Sequence, residues 1–246
     1  MNKNEYQIMY DIEDSYWWYS GLHDLIEYFL RKKAKTSTAP LSILDAGCGT
    51  GRLMERAQRF GAVEGFDFSE EALRYCNLRG LKLIHHQDIT TWIPPKERYD
   101  VVLSLDVLCH RSIEEVSEVI NKLFDSLKKG GLCLINVPAF EALKRTHDEA
   151  VHTKRRFRRK ETVELFRAAG FKIVRGTYRL PYLFFIILLN KGIDLILPPR
   201  SIRSDLRELT PWINKGLYFM HRAENILIES GVSLPLGSSL FLVAQK

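Results

Sequence analysis

The sequence predicts an α/β fold, a doubly wound and mostly parallel sheet of seven strands with an N-terminal helical lid and a helical insertion before the last strand. Three observations carry that expectation. Apolar runs of strand length alternate with helical patterns from residue 41 to residue 179, and a βαβα order puts a parallel sheet between two layers of helices. The first run, Leu41-Ser42-Ile43-Leu44, ends in Asp45 and passes through Gly47, Gly49 and Gly51 before a helical pattern begins at Arg52. Acids then stand near the ends of successive strands, at Asp67, Asp88 and Asp106, where ligands of such sheets bind.

Residues 1–40 form the predicted lid. Tyr6, Tyr10, Tyr16, Trp17, Trp18 and Tyr19 precede Leu22, Leu25, Ile26 and Phe29, which recur at helical spacing. A Thr-Ser-Thr-Ala-Pro linker then leads into the core, predicted over 41–180 and 236–246. Within it come a helix near 52–60, a strand at Ala62–Asp67, a helix at Glu70–Leu78, and strands at Leu81–His85 and Asp100–Leu105. The helix Ser112–Lys128 is expected to stop at Gly130-Gly131, followed by a strand at Leu132–Val137, a helix at Arg159–Ala169 and a strand at Phe171–Arg179. Residues 181–235 read as the insertion, with the most hydrophobic run at Leu180–Leu189 and a helical pattern over 211–229; Ser239–Ala244 closes the sheet. The apolar block is about half the ~20 residues needed to span a bilayer, so it is not expected to cross one.

Glycines in the 47–51 loop let the backbone turn sharply and approach a ligand closely. The helix that follows offers unpaired N–H groups. The spacing is not the G-x-G-x-x-G of a dinucleotide site. Asp45 lies two residues before the first glycine, where a carboxylate repels phosphate and welcomes an ammonium group. S-adenosyl-L-methionine carries an amino group and no phosphate, and so fits; an ordinary tight turn in another doubly wound protein is the plain alternative.

Composition sets wider bounds. The chain has 246 residues, 46% hydrophobic and 27% charged, as expected of a soluble globular protein. Cys48, Cys76, Cys109 and Cys133 show no C-x-x-C spacing and read as reduced cysteines without a metal, in a cytoplasmic protein with no secretory signal. The net charge of +6 is uneven. Between Phe140 and Asn225 basic residues outnumber acidic ones about two to one, densest at Lys154-Arg155-Arg156-Phe157-Arg158-Arg159-Lys160. A phosphate-bearing substrate, an anionic membrane surface or nucleic acid would suit that half; a solvated helix start with no partner suits it too.

Together the motifs ILDAGCGTG (43–51), VEGFDFS (63–69), HHQDI (85–89), YDVVLSLDVLCH (99–110) and LKKGGLCLINV (127–137) resemble class I S-adenosylmethionine-dependent methyltransferases. The resemblance implies a Rossmann-like methyltransferase fold and a cofactor site of Asp45, Gly47, Cys48, Gly49, Gly51, Asp67, Phe68, Asp88, Ile89, Leu105 and Asp106. In such a site Asp67 accepts the ribose hydroxyls and Phe68 packs on the adenine. Asp88 and the Ile89 amide take the adenine edge, Leu105 and Asp106 flank the methionine portion, and Asp45 orients its amino group. Residues Glu13–Gly21 resemble the E-x-x-H-W-W-F-x-x-R opening of methyltransferases associated with polysaccharide and lipid-linked glycan biosynthesis, with Tyr16 in place of His and Leu22 in place of Arg. Residues Gly231–Phe241 resemble the same group's G-x-x-L-P-x-G-x-S-L-F ending.

Methyl transfer needs the acceptor held in line at about 3–3.5 Å, and a base only where the acceptor is a hydroxyl or a protonated amine. His110 is the first candidate base, with His152 and His147 next; Trp17, Trp18, Arg155 and Arg156 are candidate acceptor contacts. The expected acceptor is a small molecule or a lipid- or glycan-linked group, methylated at oxygen or carbon. Residues 181–198 are expected either to meet a membrane interface beside the basic cluster or to be buried under the lid. Two alternatives are an RNA methyltransferase using residues 154–160 and a cofactor-binding scaffold without turnover. Against RNA, Ser104-Leu105-Asp106-Val107 lacks the Asn-Pro-Pro-aromatic signature of base amino methyltransferases.

Overall fold

The computed structural model describes residues 3–194 and 209–246. Two helices open it, α1 (Lys3–Ile12) and α2 (Trp17–Ala34), where the sequence predicts a single lid segment. The core alternates as expected: β1 (Leu41–Ala46), α3 (Arg52–Ala57), β2 (Gly61–Asp67), α4 (Glu70–Leu78), β3 (Ile84–His86), β4 (Tyr99–Leu105), α5 (Val116–Ser126) and β5 (Leu127–Pro138). After a short helix α6 (Thr146–Ala150) come α7 (Arg159–Ala168), β6 (Lys172–Arg179), α8 (Pro181–Asp194), α9 (Pro211–Glu229) and β7 (Ser239–Gln245).

The sheet order is β3-β2-β1-β4-β5-β7-β6. β1 to β5 pair in parallel, with Ile43 beside both Val63 and Val101, and β7 runs antiparallel between β5 and β6. Alternate residues face opposite layers. Leu44, Val102 and Ile135 pack against Val119, Ile120 and Leu123 of α5, whereas Ile43, Val101, Leu103 and Phe241 pack against Leu25, Ile26 and Phe29 of α2. Burial on both faces explains why these strands read as unbroken apolar runs.

One element departs from expectation. Gly130 and Gly131 do not stop a helix: α5 ends at Ser126, and the pair lies inside β5. There Tyr99 pairs with Leu127 but Val101 pairs with Leu132, so β5 bulges outward, and Gly130 takes the turn at φ +77°. The segment between β6 and β7 is helical, α8 and α9, as the sequence predicts. α9 lies along α2, its Asn225 Nδ2 donating to Gly21 O at 2.7 Å and its Tyr218 hydroxyl to Asp24 at 2.8 Å. The expectation for 181–198 reaches past residue 194, and residues 195–208 lie outside the described residues. Among the described residues no helix is long and apolar enough to cross a membrane.

Candidate active site

The strand order reverses between β1 and β4, and at this kind of switch point the strand ends diverge and leave a crevice. Here the crevice opens into a cavity of about 1470 Å³. Its floor is the β1–α3 loop. Gly47 holds φ +89°, and a Cβ there would come within 2.3 Å of Val107 Cγ2, so only glycine lets the loop lie against the end of β4. α1 covers the loop from outside, with Tyr6 and Met9 in the cavity wall.

Carboxylates ring this floor. Asp67, at the end of β2, is 6% exposed; its Oδ2 accepts from the Gly49 amide at 3.0 Å and its Oδ1 from the Ser69 amide at 2.9 Å. Burial pushes it above the usual carboxylate range against those bonds. Asp45 is 3% exposed, and burial, helped by the nearby Asp67 charge, pushes it up to about 7. Glu13 also lines the wall; it accepts from the Thr50 hydroxyl and from Arg79 Nη2 at 2.8 Å. Burial nonetheless pushes Glu13 up.

Asp106 follows β4 in the left-handed region at φ +56°, uncommon for a residue with a side chain. Its amide donates to Asn136 O at 2.7 Å, and Asn136 Nδ2 donates to both carboxylate oxygens at 3.1 Å. Desolvation pushes Asp106 up to about 6, with the Asn136 bond opposing it. Behind Asn136 runs a buried polar chain. Arg179 Nη1 donates to Asn136 Oδ1 at 3.1 Å, and Nη2 meets His221 Nε2. Arg179 is a donor only, so Nε2 accepts and the His221 proton lies on Nδ1, facing Trp17 O at 3.3 Å. Burial beside Arg179 lowers the His221 pKa, which keeps that ring neutral. Glu224 Oε1 lies 3.7 Å from Arg179 Nε, and Oε2 accepts from the Leu180 amide at 2.7 Å. The chain thus joins Asp106 to α2 of the lid and to α9.

His110 also lines the cavity, its ring 5.2 Å from Phe68 and 5.8 Å from His152. Its Nδ1 lies 2.8 Å from Ser112 Oγ and its Nε2, buried, has no partner among the described residues. Burial lowers it to about 4, so the ring is neutral near pH 7. The Ser112 amide donates to Nδ1 at 3.2 Å, so Nδ1 accepts and the neutral ring carries its proton on Nε2.

A sequence-family profile described as a methyltransferase domain matches residues 18–175. The chain belongs to that methyltransferase family. Among curated proteins it is 32% identical over 108 residues to the ubiquinone biosynthesis O-methyltransferase of Rhodopseudomonas palustris, covering 42% of each chain. Against the protein of the same name from Ralstonia nicotianae it is 32% identical over 130 residues, 47% of this chain and 53% of that one. The chain therefore spans about half the length of the curated relatives it matches. An S-adenosylmethionine-dependent methyltransferase from Mesorhizobium loti has the same fold, with a TM-score of 0.57, 16% identity, and coverage of 89% of this chain and 96% of that one. So does the phosphoethanolamine N-methyltransferase 2 of Haemonchus contortus in complex with S-adenosyl-L-methionine, with a TM-score of 0.56, 20% identity, and coverage of 89% and 51%.

The site fits that cofactor. A glycine cradle ringed by Glu13, Asp45, Asp67 and Asp106 favours a cation and ribose hydroxyls and disfavours a pyrophosphate. Of the residues singled out from sequence, Asp45, Gly47, Cys48, Gly49, Asp67, Phe68, Leu105, Asp106, His110, Trp17, Trp18 and Arg156 line one cavity. Others lie elsewhere. Gly51, at φ +82°, packs against Leu81 and Cys76 and shapes the loop from behind. Asp88 spends Oδ1 on the amide and hydroxyl of Thr90, both at 2.8 Å, and Ile89 belongs to the core. His152 is outside the lining and backs the His110 ring.

The basic cluster is corrected most. Arg155 pairs with Glu161 and lies over the Phe157 ring, away from the cavity. Arg156 reaches the wall, but its guanidinium is held by Asp148 at 2.8 and 2.9 Å and donates to Ala139 O at 3.1 Å. Arg156 thus ties the cavity wall to α6, and Arg155 packs against α7. Sequence reasoning missed Glu13, Arg52, Lys144 and Lys191 in the wall and the Asn136–Arg179 chain behind it. Glu13 and Asn136 sit inside motifs already quoted, which was the available signal.

Proposed function

We propose that this chain transfers the methyl group of S-adenosylmethionine to a small-molecule acceptor, at oxygen or carbon, bound between the lid and α8. The observation that carries the proposal is that the glycine cradle, the strand-end carboxylates, Trp17 and His110 line one continuous cavity of about 1470 Å³. That exceeds the roughly 300–1,000 Å³ typical of a site for one ligand, leaving space for donor and acceptor together. When bound, S-adenosylmethionine supplies an electrophilic methyl on sulfonium. In this reading Asp67 accepts ribose hydroxyls, Asp45 and Asp106 face the cationic portion, and the aromatic lid excludes water. His110, its ring proton on Nε2, donates a hydrogen bond to the acceptor's oxygen and orients it.

An oxygen acceptor is supported by the relatives named for ubiquinone biosynthesis O-methylation. An apolar portion of the acceptor is supported by Leu183, Ile187 and Leu217 in the wall. Exposed side chains nearby, Phe185 at 60%, Leu189 at 68% and Trp212 at 76%, support a lipid-linked acceptor met at a membrane surface. The RNA reading loses support because Arg155 and Arg156 are held in internal ion pairs.

The test is calorimetric titration with S-adenosylmethionine, S-adenosylhomocysteine and NAD, then transfer of labelled methyl to lipid, sugar-nucleotide and RNA fractions of a cell extract. Heat with the first two compounds and label in a lipid or small-molecule fraction are expected. Heat with NAD alone overturns the cofactor reading; label confined to RNA overturns the acceptor class.

A further inference from the structure

The cavity wall is divided by charge. Its carboxylates gather on the sheet side, whereas Lys144 and Lys191 lie on the side of α8. Asp148, the acid on that side, is spent on Arg156. The two lysines are not spent. Lys191 Nζ donates to Ala142 O at 2.8 Å and Lys144 Nζ to Lys154 O at 2.8 Å. These are neutral carbonyls, and neither ammonium is paired with a carboxylate among the described residues. Lys144 follows Ala142 by two residues, so its backbone lies within about 7 Å of the carbonyl that Lys191 touches. Two ammonium groups without a carboxylate partner among the described residues are thereby brought to one stretch of the cavity wall. The apolar wall of Leu183 and Ile187 begins beside them.

We propose that the acceptor carries an anionic group, a phosphate or a carboxylate, seated between Lys144 and Lys191, with its apolar portion along α8 and its reacting atom toward His110. This rests on the methyltransferase reading of the cavity and names the acceptor's charge, which that reading leaves open. It also gives part of the basic cluster a role: Arg156 holds α6 beside Lys144, and the lysines meet the ligand.

The probes are phenyl phosphate, benzoate, benzyl alcohol and benzylamine, titrated into the whole chain with and without saturating S-adenosylhomocysteine and read by the fluorescence of Trp17 and Trp18 in the wall. Phenyl phosphate or benzoate is expected to bind at least tenfold tighter than benzyl alcohol, and benzylamine weakest. The tighter of the two anions identifies the group. Lys144→Gln with Lys191→Gln is expected to raise the anion's Kd tenfold or more with an unchanged Tm, and Lys144→Arg with Lys191→Arg to restore it. If the glutamine pair lowers Tm, the wild-type salt dependence decides, since anion binding to lysine weakens steeply between 50 mM and 500 mM salt. Equal affinity for benzyl alcohol, or an anion Kd untouched by the glutamine pair or by salt, overturns the proposal. Failure of S-adenosylhomocysteine to bind overturns the methyltransferase reading instead, and the titrations without it still decide the anion site.

Discussion

Burial and the neighbouring Asp67 carboxylate both push Asp45 up to about 7, so near neutral pH the free protein holds a proton there that a bound ammonium group displaces. Binding of S-adenosylmethionine is therefore expected to release up to one proton between pH 6 and 7. Affinity should rise by at most tenfold per pH unit below about 7 and level off above it. Calorimetry in two buffers of different ionisation enthalpy checks this, and Asp45→Asn should abolish the proton release. The sign for folding is the reverse. A carboxyl whose folded pKa is raised contributes stability that is complete below its unfolded value near 3.8 and is lost as pH rises through about 7. Asp45→Asn should accordingly denature at higher urea than the wild type at pH 8, with the gap closing toward pH 5. His110 behaves differently, because burial lowers it to about 4 and it is already unprotonated above about pH 5. A neutral donor of that kind gives a rate independent of pH from 6 to 9, and His110→Ala is expected to lower kcat about tenfold while His110→Gln, which keeps an N–H donor, retains most of it. Unchanged turnover in His110→Ala removes His110 from positioning the acceptor.

The lid is held at one tight crossing, where α2 meets α9. A Cβ on Gly21 would stand 2.0 Å from His221 Nδ1, so glycine is what lets Trp17 O reach that ring. Gly21→Ala is expected to destabilise the protein by about 1–3 kcal/mol through overpacking. Adding His221→Ala should recover part of that loss, a coupling that a double-mutant cycle in urea measures. The contact shows which parts of the fold the sequence disclosed. Local signals were legible: an apolar run ended by an acid located β1, β2 and β4, and the glycines of 47–51 located the cradle. Signals that depend on the partner strand were not. Gly130-Gly131 reads as a helix stop until the shifted pairing of Tyr99 and Val101 shows a bulge. Arg179 lies 43 residues from Asn136 and 42 from His221, and nothing in its surroundings in the chain marks it as buried. The same reason misled the reading of Lys154–Lys160. Charge density is visible in a sequence, but the pairing of Arg156 with Asp148 across a turn is not.

Across the whole molecule the cavity is polar in one direction, carboxylates over the sheet and lysines under α8, and this predicts selective stabilisation. A ligand that binds only the folded state stabilises it by about 2.7 kcal/mol at 100 times its Kd. A chain of this size gains roughly 2–4 °C in Tm per kcal/mol. S-adenosylhomocysteine at that excess is therefore expected to raise Tm by about 5–10 °C, whereas NAD at equal concentration should leave it unchanged, because its pyrophosphate would face Asp45 and Asp67. The gain should be localised. Tyr6 and Met9 of α1 and Trp17 of α2 line the cavity, so amide exchange in these two helices should slow by more than that of β4 and β5, which are already protected at the sheet centre. Uniform slowing across the sheet and the lid would mean that the ligand adds to global stability without closing α1 and α2 over it. A Tm gain from NAD would mean that the strand-end acids do not face the ligand at all.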